Sequence, residues 1–189
     1  MAQPNLVDVT KYGLKGQNFY FARRKDYNLS LAELKRVGVV DDHPYLDHDL
    51  IEPLKKTNQK FATSGYELFI KDAYRAPELY QLVRDKRYAM HGKASTDATF
   101  NAQRMIHASG RAVDLALFDI KTGQEVMMRR HEDGIDAFFV DYYKDRSDKD
   151  SQEYQRLQLY LKDVMTSLGF ELGGLKEYWH FELPKKDNE

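Results

Sequence analysis

Apolar residues recur at intervals of three and four in several stretches of the chain, a spacing typical of helices with one buried face. The clearest stretch runs over residues 151–168, where the repeating positions are Tyr154, Leu157, Leu161, Val164 and Leu168. Gly169 follows directly, and glycine commonly ends a helix. The pattern therefore predicts a long helix late in the chain.

Further helices are predicted in the first half of the chain. The stretch 30–38 starts with Ser30, and Glu33 follows at the spacing of a capping box, so it forms a short helix or a loop turn. Apolar residues at helical spacing predict a second helix over 47–64. A third begins at Pro77, because proline is favoured at the first helical position.

Shorter runs rich in aromatic and aliphatic residues predict strands. They cover 18–24, 66–75, 112–118, 124–128 and 170–183. The run 124–128 follows a turn at 121–123 and would return as the second strand of a hairpin, and a Gly-Gly bend interrupts the last run. Small polar residues over 91–103 predict a loop.

Residues suited to metal chemistry occur in two stretches, MIHASGRAVDLALF and KEYWHFEL. The first contains His107 and Asp114, and the second contains Glu177 and His180. Two imidazoles and a carboxylate are a normal ligand set for a catalytic zinc ion, which keeps a fourth position open for water. A further carboxylate that does not bind the metal could take the proton from that water.

The spacing of these residues requires an irregular backbone. His107 and Asp114 are seven residues apart, so a straight strand would direct them to opposite faces. Gly110 between them allows the chain to turn, since glycine tolerates positive φ. Glu177 and His180 are three apart and need a similar irregularity. The residues alone leave two interpretations open: one metal site, or two unrelated histidines.

Three motifs in order resemble a known family. HxxGxAxD runs from His107 to Asp114, ExWH runs from Glu177 to His180, and DAYR occupies 72–75. Together with the segment DLALFDIKTGQE, they resemble the zinc D-alanyl-D-alanine metallopeptidases, and most closely the dipeptidases of the VanX type. Four ordered pieces are far more specific than any one of them alone.

The resemblance covers about residues 45 to 183 and implies a fold and an activity. The fold would be α+β, with an antiparallel sheet that carries a zinc site and helices packed against it. Residues 1–189 would form a single zinc metallopeptidase domain. The activity would be hydrolysis of the D-alanyl-D-alanine dipeptide, in cell-wall precursor turnover or glycopeptide resistance.

The resemblance also assigns roles to residues at the matching positions. One Zn²⁺ ion would be held by His107, Asp114 and His180. Glu177 would act as the general base, taking a proton from the attacking water and passing it to the leaving amine. Trp179 would pack against Glu177 and His180 rather than contact the substrate.

Further assignments concern the substrate. Arg75 would stabilise the developing oxyanion, and Asp136 would hold the free amino group of the substrate, with Asp141 as a competitor for that role. Two departures from the family pattern affect the choice of dipeptide. Met105 stands where the family usually has serine, and Ala76 is an extra residue before the proline.

Two alternative functions fit the same residues. A D,D-carboxypeptidase, or another peptidase of peptidoglycan stem peptides, would use the same zinc site in a more open cleft. A non-catalytic zinc-binding interaction domain is an alternative of another class, since Hedgehog-type signalling domains are similar in fold and site.

Composition narrows the class of protein further. At 189 residues, with 42% hydrophobic and 31% charged residues, the chain has the make-up of one soluble globular domain. A net charge of −1 gives no electrostatic case for nucleic acid or anionic membranes. The chain has no cysteine, so a zinc site must use histidine and carboxylates. With no apolar run long enough for a membrane span and no signal-peptide pattern, a cytoplasmic protein is expected; a secreted form whose signal has been removed is the alternative.

Overall fold

The computed structural model describes residues 4–100 and 104–185. The chain divides into two compact units, Met1–His48 with Ile70–Val113, and Asp49–Phe69 with Asp114–Glu189. The expectation of a single domain over 1–189 stays a prediction.

Helices and strands are interspersed along the described residues. The helices are α1 (Phe19–Ala22), α2 (Leu31–Arg36), α3 (Ile51–Ala62), α4 (Pro77–His91), α5 (Lys93–Thr99) and α6 (Lys149–Thr166). The strands are β1 (Leu6–Asp8), β2 (Lys15–Gly16), β3 (Tyr45–Asp47), β4 (Tyr66–Asp72), β5 (Ala112–Asp119), β6 (Glu171–Leu172) and β7 (His180–Glu182).

The strands of the described residues form two sheets. β1 pairs with β3 in antiparallel register, Leu6 opposite Asp47. The second sheet has the order β2-β4-β5-β7-β6, and β6 pairs with β7 antiparallel. The α+β class is confirmed, but this sheet is mixed, so the expectation of a purely antiparallel sheet is wrong. Most of its neighbouring strands are joined by long connections that contain helices, and such connections allow parallel pairing.

In the first unit, the strand predicted over 18–24 is wrong, because Phe19–Ala22 form the helix α1. The side chain of Asn18 accepts a hydrogen bond from the backbone N–H of Phe21 at 3.0 Å and so caps the helix. Tyr20 is buried in a cluster that also contains residues of α2 and α4. Capping and burial therefore outweigh the strand preference of these aromatic residues. The capping box of Ser30 and Glu33 is present, and α2 forms as predicted.

The helix predicted from Pro77 is confirmed as α4. The loop predicted over 91–103 is wrong for Lys93–Thr99, which form α5, and residues 101–103 lie outside the described residues. Asp97 pairs with Lys93 one helical turn away and accepts a hydrogen bond from the Tyr88 hydroxyl at 2.7 Å. These contacts fix α5 against α4 and stabilise a helix where the polar composition predicts a loop.

In the second unit, α6 packs on α3 through its predicted stripe, of which Leu157, Leu161 and Val164 are buried. The rings of Phe61 and Tyr160 meet edge to face with centroids 5.4 Å apart. The predicted helix over 47–64 begins later, at Ile51, since the chain before it forms β3 and a turn of 3₁₀ helix.

The predicted hairpin strand over 124–128 is wrong. Its pairing with β5 is reduced to an isolated bridge between Phe118 and Glu125. The intervening turn forms as expected, because the carboxylate of Asp119 accepts the backbone N–H groups of Lys121 and Thr122. Among the described residues, no helix has the length and apolar character needed to cross a membrane.

Candidate metal centre

His107 lies in a turn of 3₁₀ helix, Ile106–Ser109, which ends at Gly110 with a φ of +70°. The turn expected at Gly110 is therefore present. His107 is 4% exposed, and its Nδ1 lies 2.8 Å from the carbonyl oxygen of Ala73. A carbonyl can only accept, so Nδ1 carries the proton and Nε2 is the ring nitrogen that can act as a metal ligand.

Asp114 and His180 lie on the neighbouring strands β5 and β7. Their backbones are joined where the N–H of Leu115 donates to the carbonyl of Trp179 at 3.0 Å. Nδ1 of His180 lies 2.7 Å from Oδ1 of Asp114. Burial by itself lowers the pKa of His180. The hydrogen bond to Asp114 and the negative charges of Asp114, Glu177 and Glu182 outweigh burial, so the pKa is raised.

His107, Asp114 and His180 each offer one ligand atom, and these atoms all lie within 4.8 Å of one another. The donor set is two imidazole nitrogens and one carboxylate oxygen, which fits zinc and leaves a coordination position open. The structure thus brings together the three side chains that the motifs single out. Their role as ligands stays a prediction.

Glu177 and His180 belong to one tight turn. The N–H of His180 donates to the carbonyl of Glu177 at 3.1 Å, and Lys176 before it has a φ of +58°. This is the irregularity that the three-residue spacing requires. Glu177 is half-buried, and its negative charge is one of those that raise the pKa of His180.

Arg75 follows β4, and its guanidinium group is held on three sides. Its Nε donates to Oδ2 of Asp72 at 2.7 Å. Its Cζ lies 5.3 Å from the ring centroids of both Tyr20 and Tyr80, within the range of cation–π contacts. The backbone N–H of Arg75 donates to the carbonyl oxygen of His107 at 3.3 Å. The arginine is therefore fixed in the same unit as one predicted zinc ligand.

Asp136 begins a 3₁₀ helix, Asp136–Phe138, and is exposed. The segment after it runs beside the Glu177 turn, since Tyr178 donates to the carbonyl of Phe138 at 3.0 Å. Asp141 is exposed and adopts a φ of +80°. The substrate role of Asp136 stays a prediction.

Comparison with known proteins settles the family. The model of the Peptidase_M15 family, described as D-Ala-D-Ala dipeptidase, matches residues 34–188. The chain belongs to the Peptidase_M15 family. The resemblance to the D-Ala-D-Ala dipeptidases that the motifs indicate is confirmed.

Curated relatives of this Peptidase_M15 chain include two D-alanyl-D-alanine dipeptidases. The one from Enterococcus faecium is 28% identical over 149 residues, which cover 72% of this chain and 71% of the relative. The one from Escherichia coli (strain K12) is 32% identical over 144 residues, covering 74% and 67%. The chain is therefore a peptidase, and two of its curated relatives are named dipeptidases.

A solved structure shares the fold. It is the LD-carboxypeptidase LdcB, whose structure is said to reveal the molecular basis of peptidoglycan recognition. It aligns with a TM-score of 0.50 at 18% identity. The alignment covers 76% of this chain and 61% of the other, so the chain spans less than two thirds of that protein. This likeness concerns the fold alone.

Contacts that no motif revealed support the Peptidase_M15 site. The hydroxyl of Tyr80 accepts the backbone N–H of His107 at 3.0 Å. Gly173 lies against the ring of His180, where a Cβ atom would come within 2.1 Å of Cδ2. Asp72 was visible within the DAYR segment, but its ion pair with Arg75 was not. The sequence signal that could have pointed to Tyr80 is an aromatic residue in the first turn of α4, shortly after Arg75.

Proposed function

We propose that the protein hydrolyses the dipeptide D-alanyl-D-alanine with one zinc ion bound by His107, Asp114 and His180. The observation that supports the proposal most directly is the closeness of the three ligand atoms, within 4.8 Å, in a Peptidase_M15 chain. The names of both curated relatives favour this dipeptide as substrate.

Two neighbouring residues prepare the ligands for the metal. The carbonyl of Ala73 fixes the tautomer of His107. The missing side chain of Gly173 leaves space for the His180 ring, since a Cβ atom there would come within 2.1 Å of Cδ2. When bound, zinc lowers the pKa of a water molecule and polarises the substrate carbonyl.

Glu177 is proposed as the general base and acid. Its carboxylate takes the proton from the attacking water and delivers it to the amine of the departing D-alanine. Glu177 and the predicted metal ligand His180 belong to the same turn, which supports this role. Because the same group accepts and returns the proton, it is ready for another cycle once the product leaves.

Arg75 is proposed to bind the substrate carbonyl oxygen as negative charge develops on it. A guanidinium fixed before the reaction needs no reorganisation during it, which makes such stabilisation effective. Asp72 and the two tyrosine rings provide this fixation.

Asp136 is proposed to hold the free amino group of the dipeptide. Its segment is hydrogen-bonded to the Glu177 turn, and Phe139 and Glu177 face each other in an isolated bridge. A carboxylate in this position would favour a substrate with a free N-terminus over a longer stem peptide.

The decisive experiment measures alanine release from D-Ala-D-Ala, L-Ala-L-Ala and a muramyl pentapeptide, with and without a chelator. We expect hydrolysis of D-Ala-D-Ala alone, lost on chelation and restored by zinc. Faster release from the pentapeptide would support the stem-peptide carboxypeptidase instead. Zinc binding without hydrolysis of any D-amino-acid peptide would support the non-catalytic domain.

A further inference from the structure

Tyr80 contacts the backbone of His107 through its hydroxyl group. The residue lies in the first turn of α4 and is 3% exposed. Its oxygen accepts the N–H of His107 at 3.0 Å, while the His107 ring donates from Nδ1 to Ala73 at 2.8 Å. The backbone and the ring of His107 are thus fixed by separate hydrogen bonds, and Tyr80 supplies one of them.

The ring of Tyr80 has a different neighbour. The guanidinium carbon of Arg75 lies 5.3 Å from the ring centroid, and Tyr20 provides a second ring at the same distance. Asp72 fixes the arginine by an ion pair that involves both Nε and a terminal nitrogen. The two rings therefore contact the guanidinium group, and Asp72 holds it through the ion pair.

We propose that Tyr80 is a positioning residue that serves both halves of the reaction centre. Its hydroxyl holds His107 where it can bind the metal, and its ring holds Arg75 where it can bind the oxyanion. The inference rests on the function proposed above, because it assigns Tyr80 to that reaction. It concerns His107 and Arg75 separately, so each half has its own measurement.

Substitutions separate the two contacts. Tyr80→Phe removes the hydroxyl and keeps the ring, which leaves a buried N–H of His107 without this acceptor. Tyr80→Met removes both and puts a smaller but flexible apolar side chain in their place, which limits damage to the core. Tyr88→Phe is a matched control on the same helix, because its hydroxyl also binds a partner, Asp97, and its ring also lies near an arginine, Arg84.

The first measurement is zinc affinity, determined by competition between the apo-protein and a chromophoric chelator. Residues that orient a metal ligand typically contribute 10- to 100-fold to metal affinity. We expect Tyr80→Phe and Tyr80→Met each to weaken zinc binding about 10-fold, with Tyr88→Phe unchanged. A folded Tyr80→Phe protein with the affinity of the unmodified protein would overturn the His107 half.

The second measurement is steady-state hydrolysis of D-Ala-D-Ala at saturating zinc. We expect Tyr80→Met to lower kcat about 10-fold with little change in KM, and Tyr80→Phe, which keeps the ring next to Arg75, to lower kcat less. In an Arg75→Ala background, Tyr80→Met should lower kcat no further, since the two residues act as a unit. Two results would overturn the Arg75 half. One is that Tyr80→Met lowers kcat by the same factor with and without Arg75. The other is that Tyr80→Phe and Tyr80→Met lower kcat equally.

The measurements also keep this inference apart from the proposed function. An unmodified protein that binds zinc but hydrolyses no D-alanyl peptide would overturn the proposed function and the Arg75 half, while the zinc titration still decides the His107 half. Thermal unfolding checks that each variant is folded. Tyr80→Leu replaces Tyr80→Met if the latter does not fold.

Discussion

Gly173 lies so close to His180 that a side chain at position 173 would clash with the imidazole ring. A Cβ atom on Gly173 would be 2.1 Å from Cδ2 and 2.9 Å from Nε2 of the imidazole. The two residues are also joined through the backbone, since the N–H of Gly173 donates to the carbonyl of His180 at 3.0 Å. The absence of a side chain at 173 is therefore part of what places the predicted zinc ligand.

We expect Gly173→Ala to displace the His180 ring and to weaken zinc binding about 10- to 100-fold, as changes next to metal ligands do. Overpacking at a buried position should also lower the free energy of unfolding by about 1–3 kcal/mol. Zinc titration and chemical denaturation measure the two effects. Gly174→Ala is the control, because the neighbouring glycine is exposed. Unchanged zinc affinity in Gly173→Ala would show that the ring can move without cost.

The ligand assignment itself is tested by removing the donors. We expect Asp114→Asn to reduce zinc content strongly and His180→Ala to abolish it, since each removes a charged or lone-pair donor of a three-residue set. Metal analysis after dialysis gives the stoichiometry. Asp163→Asn, at an exposed position of α6, should keep one zinc ion per chain. Full metal content in both ligand variants would defeat the assignment.

The types and the order of the site residues could be predicted from the sequence, because they are carried by short motifs. The positions of Tyr80 and Gly173 could not. Tyr80 is 27 residues from His107, and their hydrogen bond exists only once α4 packs beside the 3₁₀ turn. The sequence predicts only a bend at Gly173, and the imidazole of His180 comes next to it only once the strands have folded.

In the fold, too, elements with local signals could be predicted and elements that depend on tertiary contacts could not. Local signals such as the Ser30 capping box and Pro77 predict α2 and α4 correctly, since they act within one helical turn. The segments 18–24 and 91–103 mislead, because their conformations depend on packing and on contacts such as that between Tyr88 and Asp97. Tertiary contacts override weak local preferences.

Arg75 is held by Asp72 in a geometry that suits a planar guanidinium group. We expect Arg75→Lys to lower kcat about 100-fold, because lysine keeps the charge but loses the fixed fork of donors. KM should change less, since the interaction strengthens only as charge develops. Arg84→Lys is the control, as Arg84 pairs with the exposed Asp85. A change confined to KM would indicate that Arg75 binds the ground state.

Asp148 gives the fold a specific dependence on pH. Its carboxylate accepts the N–H of Ser151 at the start of α6 and pairs with Arg130, which lowers the pKa of Asp148 to about 2. A lowered pKa stabilises the protein at pH values above the unfolded pKa of about 3.9. This stabilisation is lost as the pH falls through about 2.

Asp148→Asn removes the charge but keeps a good helix cap. We expect its Tm to lie below that of the unmodified protein by a constant margin from pH 5 to 8. The margin should shrink as the pH falls from 4 towards 2, where the carboxylate becomes neutral. Calorimetry across this range measures it. A margin that is independent of pH would mean that the charge contributes nothing.

Glu177 carries the chemical step in the proposed mechanism, and its replacement separates catalysis from metal binding. We expect Glu177→Gln to lower kcat about 100- to 10,000-fold, the usual contribution of a general acid–base group, because the amide cannot take a proton from water. Zinc content should remain at one ion per chain, since the three predicted ligands are intact. Glu171→Gln, exposed at the start of β6, is the matched control and should keep full activity. An active, zinc-loaded Glu177→Gln protein would remove Glu177 from the mechanism and require another base, whereas loss of zinc would place Glu177 among the groups that hold the metal.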